Sequence, residues 1–459
     1  MTIEHMFFGR GLAGHLTMTI RPLKGGADLP IVDGETSSGS IMRSVMSSVL
    51  NPTNTCRVLA IAGFLLILAL SGSPQTSEGF VDPSPGILSI EDGHAQGMIL
   101  FIGDGMGAEQ RKADRWVSVG QSGQLAMDSL PLQGWLQTAS ANNPITDSAA
   151  SATAMATGVK TDNGHISVDP DEVILETILE IAEARGMATG LVTTVQVSHA
   201  TPGAFAAHVP DRNMYTEIAL QTIASGVDVL LGGGEDEFLL PTEIGCYPEP
   251  GERGDGRNLL SEAQSAGFVY VCDLAGLAAV DPLTTDRLLG LFADEGMVNP
   301  FSPSLALMTE RAIEILQRDQ DGFFLMVEGG QIDWAGHAND GANVIGDVIG
   351  FDEAVSVGLD YAALHPDTLV IVTADHETGG MATSLTSSGA PEEDGPFFMP
   401  DATSFYVNWT TTGHTAADVP MTSSGPWSFT LQGIKQNTDV FFTMRKALDW
   451  WVWLPLVQR

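Results

Sequence analysis

Short, largely apolar runs recur along this chain, and several end on glycine or an acid. Residues 98–102 (MILFI) are followed by Gly103-Asp104-Gly105, residues 323–327 (FFLMV) by Glu328, and residues 368–373 (TLVIVT) by Ala374-Asp375-His376. Further runs lie at 189–195 and 227–231. A run of this length without polar alternation fits a strand covered on both faces, as in a parallel sheet. Helical patterns lie between the runs. Residues 169–186 predict a helix with Asp169 as N-cap, Pro170 in the first turn, Val173, Ile174, Ile178 and Ile181 at helical spacing, and Gly186 as its stop. Residues 304–317 predict another. Strand–helix alternation over this length predicts an α/β layer fold with a mostly parallel sheet. In such folds ligands bind beyond the carboxyl ends of the strands, so the residues just past each run should carry the chemistry.

Those residues are carboxylates and imidazoles. Asp104 follows the first run, Glu328 the FFLMV run with Asp333 and His337 soon after, and Asp375-His376 the TLVIVT run; His414 lies in TTGHTAADVP. Carboxylate with imidazole suits zinc, and an all-oxygen set suits magnesium. Asp333 and His337 are spaced i, i+4 and share one face of a helical turn. A lone acid after a strand is ordinarily a helix cap, and a lone histidine a satisfied surface or core residue. The signal is the recurrence of such groups at successive strand ends. A nucleophile candidate is Ser148 in ITDSAASATAMATG, where small side chains allow a helix to begin close to a substrate and backbone N–H groups to meet phosphate. On composition alone, a structural helix capped by Asp147 or Ser148 is the simpler reading.

Charge narrows the partners. The chain has 20 Lys+Arg against 57 Asp+Glu, a net charge of −37. Such a surface repels nucleic acid and anionic lipid, so neither is expected as a specific partner. It also repels anionic substrates, so a phosphate site here needs local positive charge from metals and a specific arginine. The 13-residue run VLAIAGFLLILAL at 58–70 follows Arg43 and Arg57 and precedes small residues. It is shorter than the roughly 20 residues of a membrane span and fits a signal-peptide core. The expected organisation is therefore a leader and signal over 1–73, with translation starting at Met1, Met42 or Met46, and then an exported chain with no stable membrane span. A linker follows over 74–96, then a catalytic domain over 97–448 and a Trp-rich tail over 449–459. After signal removal two cysteines remain, Cys246 and Cys272; in an oxidising compartment they are candidates for a disulfide, with free thiols the alternative. With no C-x-x-C, a thiolate zinc site is excluded.

The block ITDSAASAT, with Asp-Ser, four small residues and Thr, resembles the nucleophile signature of alkaline phosphatases. GDGMG, HATPGAFAAHVPDR, LLGGG, EGGQIDWAGH, VTADHETGG and TGHTAADVP resemble that family's blocks in its order, over about 97–448. The resemblance implies a three-layer sandwich with a mostly parallel central sheet, and an alkaline phosphatase releasing phosphate from small phosphomonoesters. It implies two Zn2+ and one Mg2+: one zinc held by Asp333, His337 and His414, a second by Asp104, Asp375 and His376 with Ser148, and magnesium by Asp104, Thr201 and Glu328. Ser148 would pass through a phosphoserine, and Arg212 in HVPDR would grip phosphate oxygens. His199 and Trp334 stand where some bacterial members carry Asp and Lys, which implies one positive charge fewer beside phosphate. A homodimer is the family's common state. Two alternatives remain: a phosphodiesterase of the same fold, and an inactive metal-stabilised extracellular binding protein.

Overall fold

The computed structural model describes residues 93–449. The expected leader and signal, most of the linker, and the tail from Trp450 onward lie outside the described residues. Strands β1 (Gly97–Gly103), β2 (Leu132–Gln137), β3 (Ala188–Gln196), β4 (Val229–Gly233), β5 (Val269–Val271), β6 (Leu288–Leu291), β7 (Phe323–Gly329) and β8 (Thr368–Thr373) come first in the chain. A two-stranded ribbon of β9 (Glu377–Thr378) with β13 (His414–Thr415) follows, enclosing a three-stranded sheet of β10 (Ala382–Ser384), β11 (Asp394–Phe398) and β12 (Ser404–Asn408); β14 (Val419–Ser424) and β15 (Gly433–Gln436) complete the set. One ten-stranded sheet runs β15-β2-β14-β8-β1-β7-β3-β4-β6-β5. Every pairing in it is parallel except those of β14 with β2 and β8.

The apolar runs are buried because both sheet faces are covered. Adjacent residues of β7 show it. Phe323 packs edge-on against Tyr361 of the helix Gly341–Leu364, with ring centroids 5.5 Å apart. Phe324 meets Phe205 of the helix Ala200–Ala206 at 5.8 Å. Successive side chains of a strand point to opposite faces, so these helices form opposite layers. The fold is the expected three-layer α/β sandwich with a mostly parallel sheet. The helix expected at 304–317 forms as Leu305–Leu316, its first turn capped by the Ser304 hydroxyl.

The helix expected over 169–186 is shorter and covers only Ile178–Glu183. Asp169 does not cap it. Its Oδ1 accepts from the backbone N–H groups of Asp171 and Val173, which closes a turn. Glu172 takes φ +62° in that turn, and Val173 and Ile174 face solvent. The true start is Thr177, whose hydroxyl accepts from Glu180 N while the Glu180 carboxylate accepts from Thr177 N. Gly186, at φ +81°, ends the segment as expected. The chemical consequence of the topology lies in the centre: β8, β1, β7 and β3 are consecutive neighbours, so the residues past their carboxyl ends meet.

Candidate metal centre

Three carboxylate–imidazole clusters form beyond those four strands. Asp104, Asp375 and His376 make one, Asp333, His337 and His414 a second, and Asp104 with Glu328 and His199 a third; within each, one ligand atom per residue lies within 4.8 Å of the others. In the first, His376 Nε2 lies 3.4 Å from Asp104 Oδ1 and 3.2 Å from Asp375 Oδ2, and all three side chains are buried completely. Backbone N–H groups of Gly105 and His376 both donate to Asp375 Oδ1, at 3.1 and 2.9 Å, leaving Oδ2 facing inward. In the second, His337 Nε2 is 3.3 Å from Asp333 Oδ2 and 3.1 Å from His414 Nε2. Each of these imidazoles turns Nδ1 to a backbone carbonyl, Thr412 O at 2.6 Å and Thr146 O at 2.9 Å. When neutral, an imidazole that donates from Nδ1 in this way has its Nε2 lone pair free, the usual arrangement of a ligating histidine.

Charge is crowded here without any lysine. Burial, and then the neighbouring charge of Asp375, push the Asp104 carboxyl well above its usual range. Burial raises Glu328 to about 7 and Asp375 to about 6. Burial, reinforced by His414, lowers His376 well below its ordinary value, so it is neutral. Asp333 behaves oppositely: burial opposes its ionisation, yet the hydrogen bond and the charge of His337 hold it low. The same bond from Asp333 raises His337 to about 9. Both Asp104 oxygens, Glu328 Oε1 and Asp375 Oδ2 are buried with no hydrogen-bond partner. Leaving several carboxylate oxygens unsolvated is costly unless cations meet them. The donor sets therefore fit divalent metal ions.

Ser148 stands at this centre, as the first residue of the helix Ser148–Thr157, with its Oγ 3.3 Å from His376 Nε2. Asp147 is the N-cap. Its Oδ1 accepts from Ala150 N at 3.0 Å, and its Oδ2 from Gly164 N at 2.9 Å and Arg212 Nη1 at 3.1 Å. Arg212 Nη2 also reaches His199 Nε2 at 3.2 Å. Burial, and then the Arg212 charge, lower His199 to about 3, so its ring is neutral. Trp334 packs edge-on against His199 at 6.2 Å. Thr201 is buried with its hydroxyl unpartnered. Cys246 and Cys272 are joined by a disulfide.

Thr378 and Thr193 escaped the sequence reading, as did the tie from Asp147, read there only as a cap, to Arg212. Thr378 bridges two clusters: its Oγ1 donates to Asp333 Oδ1 at 2.5 Å and lies 3.2 Å from His376 Nδ1. Thr193 Oγ1 donates to Glu328 Oε2 at 2.5 Å. Asp147 holds the arginine as well as capping a helix. Thr378 and Asp147 sit beside singled-out residues, within DHETGG and TDS, where neighbourhood was the available signal.

The family profile described as alkaline phosphatase matches residues 95–395. Streptomycin-6-phosphate phosphatase of Streptomyces griseus is 34% identical, over 85% of this chain and 97% of its own length. Escherichia coli alkaline phosphatase is 34% identical, over 78% of this chain and 87% of its own. The solved alkaline phosphatase of the Antarctic bacterium TAB5 superposes with a TM-score of 0.67 at 31% identity, covering 77% of this chain and 98% of that one. With strand ends, clusters and serine arranged as described, the chain belongs to the alkaline phosphatase family, hydrolases of phosphate monoesters.

Proposed function

We propose that this chain is an exported phosphomonoesterase that uses two Zn2+ and one Mg2+ and works through a phosphoserine at Ser148. The observation that carries this is the Ser148 hydroxyl set 3.3 Å from His376 Nε2 amid unpartnered, buried carboxylate oxygens. Asp333, His337 and His414 would hold one zinc, Asp104, Asp375 and His376 the other, and Asp104, Glu328 and Thr201 the magnesium, with His199 close to it. A solved variant of the TAB5 enzyme carries magnesium in a site termed M3, which supports a third cation of this kind. When bound, such ions favour the deprotonated serine and take up charge on the leaving oxygen.

The chain's own groups do the rest. The helix start presents Ser148 Oγ to phosphorus; its proton goes to solvent, the Oγ–P bond forms and the bond from phosphorus to the alcohol oxygen breaks, that oxygen taking a proton. Water then attacks phosphorus from the vacated side and gives up a proton, the Oγ–P bond breaks, Oγ takes a proton back and phosphate leaves. Arg212 binds two non-bridging oxygens with its guanidinium fork. Asp147 holds that fork in place before substrate arrives.

Export is supported by the apolar run at 58–70 and by the Cys246–Cys272 disulfide, which belongs in an oxidising compartment. Among the described residues no helix is long and apolar enough to cross a membrane. A homodimer is proposed from family membership. The deciding experiment pairs metal analysis with hydrolysis of an aryl phosphomonoester and the matching diester. Full activity on the monoester in Ser148→Ala overturns the covalent route, and equal rates on both esters overturn the substrate class.

A further inference from the structure

Glu377 is a buried carboxylate that belongs to none of the three clusters, yet it collects four donors from three places in the chain. Gln110 Nε2 donates to its Oε1 at 2.8 Å and Met381 N at 3.1 Å; Gly380 N donates to Oε2 at 3.2 Å and Thr415 Oγ1 at 2.5 Å. No lysine or arginine is among them, so all four donors are neutral groups. In a low-dielectric interior such bonds to an ionised group are strong ones. The cost of burying it suggests a purpose beyond filling space.

What the donors have in common is that each segment carries a ligand. Gln110 lies on the helix Ala108–Ser118, which begins just after Asp104. Gly380 and Met381 close the loop that follows Asp375-His376. Thr415 is next to His414, and in the ribbon Thr415 pairs with Glu377 while His414 pairs with Thr378. The contact is built in from the other side as well. A Cβ on Gly107 would collide with Glu377 Cγ, so the last glycine of GDGMG makes the room that Glu377 fills. Gln110 Nε2 also donates to Thr378 O at 2.7 Å, and Thr378 N donates to Gly105 O at 3.1 Å. The loop of Asp104 is thus sewn to the loop of His376, and Glu377 sews both to the strand of His414. The His376 and His414 rings consequently stack at 3.6 Å.

We propose that Glu377 is a positioning residue that fixes His414 in register with the Asp104–Asp375–His376 loops, and so sets the spacing between the two zinc clusters. The inference rests on the metal reading above. Its effect falls on one cation more than the other, because only His414 is borne by a two-residue strand whose partner is Glu377–Thr378.

The test uses the full chain, stripped of metal, and titrates zinc against a chromophoric chelator. Glu377→Gln keeps the volume but puts an amide N–H group among donors. Thr415→Val removes only the link to the His414 strand, and so serves if Glu377→Gln does not fold. The wild type should take up two zinc equivalents; uptake of none sinks the metal reading itself. In both variants one equivalent should weaken about 10–100-fold, the range for residues that orient ligands, and the other should hold. With excess zinc, KM should recover before kcat, because the spacing and not occupancy remains wrong. Unchanged affinity for both equivalents in Thr415→Val overturns the inference, as does an equal loss of both.

Discussion

Two of the clusters, Asp104–Asp375–His376 and Asp333–His337–His414, are built in opposite ways. The Asp104–Asp375–His376 cluster is an extension of the sheet. β1 and β8 are adjacent and parallel, with Ile102 opposite Thr373, so the residues immediately beyond them must meet, and they do so fully buried. The Asp333–His337–His414 cluster is assembled beyond the sheet, from a short helix, Gln331–His337, and the β9–β13 ribbon, and the His337 side chain is 41% exposed. Burial keeps His376 neutral, whereas Asp333 draws a proton onto His337. The closed cluster is shaped by backbone that cannot move without breaking the core. The open one is shaped by side-chain ties and can exchange with solvent. In the proposed mechanism, holding the nucleophile would belong to the first, and meeting leaving group and water to the second.

The largest effect expected from this contrast is at Asp104, which serves two clusters. Asp104→Asn should cut turnover by more than the roughly 100-fold that marks the upper range of an outer-shell change, and added zinc should not restore it. Restoration by millimolar zinc would show that the closed cluster is as pliable as the open one. His337→Ala should lose about 10–100-fold in zinc affinity but regain much of its rate with excess zinc, measured as activity against free zinc. A third comparison counts protons. The folded value of His337 is raised from 6.5 to about 9, so at pH 8 the metal-free protein carries that proton and must release it on binding zinc. Zinc uptake at pH 8 should therefore release about one proton less in His337→Ala than in the wild type, and the difference should vanish at pH 10.5. Equal counts in weakly buffered titrations would break the assignment. The smallest effect belongs to the rim: Trp334→Lys puts a cation beside His199, the partner of Arg212, and should tighten phosphate inhibition roughly 3–5-fold, the size of a partly exposed charge pair. Unchanged inhibition would mean that the ring at 334 does not tune product release.

The same contrast explains what could be read from sequence. The closed cluster was legible because an apolar run that stops on an acid locates that acid in space: Asp104, Glu328 and Asp375 all follow from strand ends. The i, i+4 spacing put Asp333 and His337 together. Nothing local places His414 beside them, since its position depends on a two-residue ribbon formed across a three-stranded insertion, and only resemblance to a family pointed to it. Arg212, Thr201 and His199 are likewise brought in by tertiary packing. The helix start at 177 was missed because Asp169 and Pro170 look like a helix start, yet the Asp169 side chain closed a turn first. Cap chemistry and turn chemistry use the same residue, and the Asp169 hydrogen bonds with the bridge between Val168 and Ile174 show which one prevailed.

Asp147 anchors both the serine's helix and the arginine's fork, through different oxygens of one carboxylate. How hard the enzyme grips its product and how well it aims its attack therefore cannot be adjusted separately at this position. Selection for a faster enzyme, or an engineer seeking one, has to work around this carboxylate, through His199, which bonds the arginine's other Nη, and Trp334, which packs on His199.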